Sequence, residues 1–367
     1  TSELPLHAMA YQMVRTARHL RRHGLRSPST QAGIALSVAS WMVLRQLHRD
    51  AARTAEAFEE AFATLGSPAS VPAEAAEVPT VNQVVNPFAN GRGRYLRASD
   101  LAYATDAGPR HRLDVWAPDG LGAEAARPVL LQVHGGGWCI GNKEQQGGPL
   151  MTEMCDRGWV CVAINYRLSP RATWPDHIVD VKRSIAWIRE NIAEYGGDPG
   201  FIAVTGGSAG GHLAALAALT GSDTSLQPGF EHADTTVQAA VPLYGVYDFT
   251  NRDGTGRDDM EDFLAKFVFK ATKDDDPNLW DSASPMAHLG SEAPPMLIVH
   301  GTNDGLVPVE QARSFATALA RVSEQPTVFV ELPGTQHAFD VFGSVRTRYA
   351  VQEVGRFLDH VHRSRQQ

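Results

Sequence analysis

The stretch from Phe201 to Leu219 constrains the fold of this chain more than any other. Phe201–Thr205 is a short apolar run, Gly206-Gly207-Ser208-Ala209-Gly210 follows it, and Gly210–Leu219 continues as an alanine-rich helical stretch. A strand, a turn of minimal side chains and a helix in direct succession force the chain to reverse within a few residues, as the G-x-S-x-G elbow does. The glycines around Ser208 allow the close backbone approach and unusual dihedrals of such a turn. The hydroxyl is lifted above the strand end, and the first amides of the helix face it, which favours a developing anion. Taken alone, the pentapeptide also reads as a glycine-rich turn with a capping serine. The strand before it and the helix after it favour the elbow.

The pattern around the elbow alternates. Val129–Val133, Val160–Ile164, Phe201–Thr205, Val237–Leu243, Met296–His300 and Thr327–Leu332 read as short buried strands. Between and after them lie helical stretches, Pro175–Tyr195, Gly210–Leu219, Val309–Arg321 and Val345–His362. Leu101–Thr105 and Arg112–Trp116 read as an antiparallel pair at the sheet edge. Strand and helix in alternation imply an α/β fold with a mostly parallel sheet covered on both faces. The alternation fails over about 246–294, where an apolar cluster (Phe263, Leu264, Phe267, Val268, Phe269) sits among acidic residues. This reads as a helical insertion over the carboxyl ends of the strands, where ligands bind in open α/β sheets. Asp274-Asp275-Asp276 before Pro277 reads as a solvated loop and helix cap rather than a metal site.

Residues 1–65 differ from the rest. Thr1–Arg53 holds eight arginines against Glu3 and Asp50, a local charge of +6 in a chain of −8. The segment predicts two helices broken near Gly24–Pro28, the second with an apolar run over Ala32–Leu44. That run is shorter than the ~18 apolar residues a membrane span needs. A helical flap packed on the main domain is the favoured reading, and a basic helix lying on anionic lipid is the alternative. Residues 66–90, with Pro68, Pro72, Pro79 and Pro87, read as an extended linker, and 91–367 as the main domain.

His134-Gly135-Gly136-Gly137-Trp138 ends another strand. Three glycines in a row expose backbone N–H groups, the donors acyl transfer needs where an oxyanion forms. Gly136, Gly137 and Ala209 are the expected donors. A hydroxyl is a weak nucleophile, so Ser208 needs a base and the base an orienting acid. Folds with this elbow order them serine, acid, histidine. Asp304 follows the strand Met296–His300, and His337 follows the last strand. The rivals fit less well. His134 belongs to the glycine loop, His212 to the elbow helix, and His360 and His362 to the terminal helix. His288 and His300 precede Asp304, and Asp248 comes one strand early.

The net charge of −8 argues against a general nucleic-acid binder. Cys139, Cys155 and Cys161 are too few for a disulfide framework and lack zinc spacing. They read as buried thiols in a reducing compartment, hence a cytoplasmic location, with the membrane surface as the alternative. No residue pattern calls for a cofactor or a metal.

From about Arg94 onward the chain resembles the hormone-sensitive-lipase-like family of α/β-hydrolases, in particular an actinobacterial-type carboxylesterase/lipase subgroup with a basic N-terminal extension. The matching stretches are His134–Trp138, Asn165-Tyr166-Arg167-Leu168-Ser169-Pro170, Gly206–Gly211 and the two late strand ends. The sequence departs from the family at Gly207, where Asp or Thr is usual, and in the Asn303-Asp304-Gly305-Leu306 setting of the acid. The resemblance implies an α/β-hydrolase fold capped by N-terminal helices. It implies a cofactor-free serine carboxylesterase for short- to medium-chain esters, with Ser208, His337 and Asp304 as triad. It also implies a homodimer through the last strand and helix. An amidase or peptidase on the same fold and a non-catalytic ligand-binding protein are the competing readings.

Overall fold

The computed structural model describes residues 3–64, 71, 77–104 and 108–366. Much of the 66–90 linker and Thr105 therefore lie outside the described residues. Three helices open the chain, α1 (Pro5–His23), α2 (Pro28–Ala52) and α3 (Thr54–Phe62). Short helices follow at Val81–Val85, within the stretch read as an extended linker, and at Arg92–Tyr95; the main elements after them are β1 (Leu96–Ala102), β2 (Arg112–Trp116), β3 (Arg127–Val133), α4 (Gly148–Asp156), β4 (Val160–Ile164), α5 (Asp176–Asn191), β5 (Gly197–Gly207) and α6 (Ala209–Leu219). After them come β6 (Ala239–Leu243), α7 (Asp258–Leu264), α8 (Pro277–Ala283), β7 (Met296–Gly301), α9 (Val309–Val322), β8 (Thr327–Leu332) and α10 (Val345–Ser364).

The strands form one eight-stranded sheet in the order β1-β2-β4-β3-β5-β6-β7-β8. β1/β2 and β2/β4 are antiparallel and every other pair is parallel. This is the mostly parallel α/β sheet that the alternation predicts. β1 starts at Leu96, earlier than the sequence pattern suggests, because its exposed polar residues give no apolar signal.

Side chains alternate across the sheet, so each strand feeds two cores. Val129, Leu131 and Val133 join α5, α6 and the insertion in one core, and Leu130 joins α3, α4 and α10 in the other. The first 65 residues divide accordingly. Phe58 and Phe62 of α3 are buried in the second core, and Phe62 stacks on Phe357 of α10 with centroids 6.5 Å apart. Burying a phenylalanine contributes about 1.5–3 kcal/mol, so α3 acts as part of the body. α1 and α2 pack mainly on each other. Cys155 and Cys161 are buried as expected, whereas Cys139, on the loop after β3, is only half-buried.

β3 and β5 lie side by side, and α6 leaves β5 directly above β3. A Cβ on Gly206 or on Gly210 would overlap the Val133 carbonyl oxygen. Gly210→Ala is therefore expected to lower stability by about 3 kcal/mol, the upper range for overpacking. Gly33, exposed in the second turn of α2, has nothing within 4 Å of its Cβ position. Gly33→Ala should stabilise by roughly 0.5–1 kcal/mol through helix propensity. Urea unfolding midpoints of the two variants should move in opposite directions, and a shared direction would refute the packing argument.

Candidate active site at the carboxyl ends of the strands

Ser208 occupies the turn between β5 and α6 with φ 58° and ψ −121°. A non-glycine residue held there stores about 1–3 kcal/mol of backbone strain. The Ser208 N–H donates to the Leu243 carbonyl at 3.0 Å, and the Ser208 carbonyl accepts the His212 N–H at 2.9 Å. These bonds fix the turn from both sides. A Cβ at Gly207 would collide with the Tyr244 hydroxyl. The absence of Asp or Thr before the serine thus has a steric cause, since Tyr244 occupies that space. The Tyr244 hydroxyl donates to Asp340, and its ring packs edge-on to His337 with centroids 4.7 Å apart. Burial pushes the Asp340 carboxyl above its ordinary range and the Tyr244 hydroxyl well above its own. Tyr244 therefore remains a donor. Sequence reasoning missed both residues, because nothing local ties Tyr244 to a loop so far along the chain.

The glycine loop after β3 is braced on every side. The Gly135 N–H donates to Gln146 Oε1 at 2.7 Å, and the Cys139 and Ile140 N–H groups donate back to the Gly136 carbonyl at 3.1 and 3.0 Å. Gly136 and Gly137 have φ 119° and 57°, a conformation that side chains resist. His134 Nδ1 lies 2.7 Å from the Gly135 carbonyl, which assigns the proton to Nδ1. The His134 ring stacks on Tyr166, whose hydroxyl donates to the His134 carbonyl at 3.0 Å. Burial lowers the His134 pKa to about 4, so the ring braces the loop as a neutral group. Trp138 Nε1 donates to His212 Nδ1 at 3.1 Å, and His212 Nε2 donates to the Ala283 carbonyl at 2.8 Å. His212 is also neutral, its pKa lowered by burial to about 3. The Asn165–Pro170 turn supports the loop from outside. Ser169 N–H donates to the Trp138 carbonyl at 2.9 Å, and Arg167 is tied to the buried Asp180.

Asp304 follows β7 and His337 follows β8. His337 Nδ1 lies 2.6 Å from Asp304 Oδ2. Asp304 Oδ1 accepts the Leu306 and Val307 N–H groups, each at 2.9 Å. A second histidine, His300, places Nε2 3.2 Å from the same Oδ2 and 2.9 Å from the Val307 carbonyl. A carbonyl only accepts, so Nε2 carries the proton and His300 donates to both. Burial alone would raise the Asp304 pKa. The His300 and His337 donors and the Val307 N–H outweigh it and hold the carboxyl well below its usual range. The resulting stabilisation is complete above the ordinary carboxylate range and is lost as pH falls below it. His300 precedes Asp304 in sequence and fails the order rule for a base; here it donates to the Asp304 carboxylate.

Ser208 and His337 line one cavity of about 330 Å³ with Gly137, Trp138, Met260, Phe263, Leu306 and Val307. Met260 and Phe263 come from α7, so the insertion supplies one wall. No described residue of 3–64 lines this cavity. Arg257, just before α7, bonds the Gly305 carbonyl beside Asp304 and pairs with Asp259, which holds the insertion against the acid loop. The sequence rivals lie elsewhere. Asp248 is paired with Arg252, His288 bonds the Ser282 carbonyl, and His362 packs on Phe201. Asp276 caps α8 by accepting the Leu279 N–H at 3.0 Å.

A family model, BD-FAE, matches residues 113–319. "Probable carboxylic ester hydrolase LipM" of Mycobacterium tuberculosis (strain ATCC 25618 / H37Rv) is 51% identical over 268 residues, 73% of this chain and 62% of that protein. "Esterase LipC" of the same organism is 43% identical over 275 residues, 75% of this chain and 68% of LipC. Among solved structures, the "Truncated form of carbohydrate esterase from gut microbiota" aligns with a TM-score of 0.64 at 26% identity, covering 73% of this chain and 98% of that one. The chain thus spans 62% of the length of LipM and somewhat more of LipC. The sheet, the elbow and these similarities together make the chain a member of the BD-FAE family, within the hormone-sensitive-lipase-like carboxylesterases of the α/β-hydrolase fold.

Proposed function

We propose that this chain hydrolyses carboxylic esters of short to medium chain through an acyl-enzyme. One observation carries the reading. A serine on a strained elbow and a histidine bonded at 2.6 Å to a buried carboxylate face the same apolar cavity. His337 removes the proton from the Ser208 hydroxyl, whose oxygen attacks the ester carbonyl carbon. The oxyanion is held by the N–H groups of Gly136, Gly137 and Ala209. One such donor contributes about 3 kcal/mol to the transition state. His337 then passes its proton to the leaving alcohol, while Asp304 keeps the ring in the productive tautomer. Water repeats the sequence on the acyl group and frees Ser208.

Size supports the substrate class. The 330 Å³ cavity is at the small end for ligand pockets. Its walls are apolar at Trp138, Met260, Phe263 and Leu306, and its charged pair, Arg257 and Asp259, is mutually neutralised. The similarity to a carbohydrate esterase adds carbohydrate esters to the substrate panel beside simple esters.

Ser208→Ala should abolish labelling by an organophosphonate and reduce ester turnover ~10³-fold or more, because triad members act as a unit. Label retained elsewhere on the chain would sink the assignment. A chromogenic ester series with a matching anilide series tests the reaction class, and faster anilide turnover would point to an amidase. The Phe263 ring tip lies 3.6 Å from the Cβ position of Gly137, so it limits the space beside the glycine loop. Phe263→Ala should raise the kcat/KM ratio of octanoyl to butanoyl ester by about tenfold, the scale of a methylene fitted into an apolar pocket. An unchanged ratio would place the size limit elsewhere.

His300 acts as a positioning residue. A hydrogen bond to a charged group contributes about 1.5–3 kcal/mol. His300→Leu should therefore lower kcat roughly tenfold with little change in KM. His300→Gln, which returns an N–H near the position of Nε2, should recover most of the loss. Equal activity of the two variants would show that His300 only fills space.

A further inference from the structure

The α1–α2 hairpin takes no part in the chemistry above, and its surface is unlike the rest of the molecule. Its base is anchored. Glu3 pairs with the buried Arg346 at 3.3 Å, and Leu44 and Ala51 are buried against the body. Beyond the base it stands free. From Leu6 to Val43 the single buried residue is Thr30, which bonds His19 across the two helices. α2 alone is 25 residues, about 37 Å long.

Two kinds of side chain share this surface. Tyr11, Val14, Arg15, Arg18 and Arg22 recur at helical spacing on α1, so apolar and basic groups occupy one exposed face. On α2, Leu36, Met42 and Val43 are 73%, 64% and 60% exposed, and Leu25 in the connecting turn is 64% exposed. No acidic residue lies between Glu3 and Asp50. Among the described residues, no ion pair joins Arg15, Arg18, Arg21, Arg22 or Arg26 to a carboxylate. Residues 1–53 carry +6 and the whole chain −8, so the remainder is net −14. An anionic surface therefore attracts the hairpin and repels the body.

We propose that the α1–α2 hairpin docks on an anionic lipid surface, its arginines among the headgroups and Leu25, Leu36 and Val43 entering the interface. This extends beyond the esterase reading and stands without it. The aliphatic groups distinguish lipid from nucleic acid, which offers no apolar phase to receive them. The arginines argue against a second copy of the chain, because a two-fold contact through this face brings like charges together. An interfacial helix needs apolar residues on one side and basic residues beside them, and it does not need the length of a membrane span. None of the described helices has that length and apolarity.

The test uses the full chain with phosphatidylglycerol and phosphatidylcholine vesicles in flotation at low and high salt. Wild type should float with phosphatidylglycerol vesicles at low salt, much less at high salt, and hardly with phosphatidylcholine. Each basic residue near such a surface strengthens binding about fivefold. Arg18→Glu/Arg21→Glu/Arg22→Glu should therefore weaken vesicle binding at least a hundredfold. Leu36→Asp/Val43→Asp should remove the binding that survives high salt. Turnover of a soluble ester or, should that reaction prove wrong, the thermal unfolding midpoint should stay unchanged in both variants and shows that they are folded. Failure of wild type to float at low salt would overturn the proposal. A stable dimer in light scattering that Leu36→Asp/Val43→Asp converts to monomer would also overturn it, in favour of a second copy.

Discussion

The close contact of β3, β5 and α6 is the constraint on which the rest of the site depends. The Val133 carbonyl lies where a Cβ of Gly206 or Gly210 would stand, so only glycine lets the helix leave the sheet at that point. With the two backbones that near, the glycine loop after β3 and the start of α6 meet beside Ser208. The N–H groups of Gly136, Gly137 and Ala209, the proposed oxyanion donors, are placed by backbone packing, not by side chains. Such preorganised dipoles need little rearrangement when charge develops on a substrate. The strain at Ser208 is tolerated because hydrogen bonds to Leu243 and from His212 hold both sides of the turn.

The acid is built by a different means. Asp304 is buried, and burial opposes its charge. Four donors answer this: two backbone N–H groups on one oxygen, His337 and His300 on the other. The carboxylate is thus fixed in direction as well as in charge. Its loop is also tied to the insertion through Arg257 and the Gly305 carbonyl. A displacement of the insertion would reach the acid through that bond, which couples the apolar wall of the cavity to the orientation of His337.

Much of this was legible in the sequence, for a physical reason. Strand ends are marked by the stop of an apolar run, and an open α/β sheet gathers its strand ends along one edge. Asp304 and His337, each just past such a stop, accordingly meet at 2.6 Å. What was not legible depends on contacts between segments far apart in the chain. Gly207 has no evident reason until Tyr244 is seen to fill the space beside it. His300 looks misplaced by order, yet β7 brings it under the carboxylate that follows. Residues 1–65 read as two helices, and α3 is a third that the pattern did not show; its Phe62 finds Phe357 near the other end of the chain. Periodicity shows that a helix has an apolar face; it does not show which partner covers that face.

The same distinction separates the two segments that the sequence offers as covers for the site. The insertion is acidic overall and carries its apolar cluster within one short stretch, so its residues turn inward. Leu264, Val268 and Phe269 enter the core, while Met260 and Phe263 stop at the cavity. The hairpin has the opposite character. Its two helices bury little beyond their base, and Leu25, Leu36 and Val43 remain in solvent. Exposed apolar side chains on a folded body mark a contact with something else when they form a continuous surface. The proposed size selection and the proposed surface attachment thus rest on different parts of the chain. The cavity wall can change its apolar residues without altering the charge of the hairpin, and the hairpin can change its arginines without touching the acid loop.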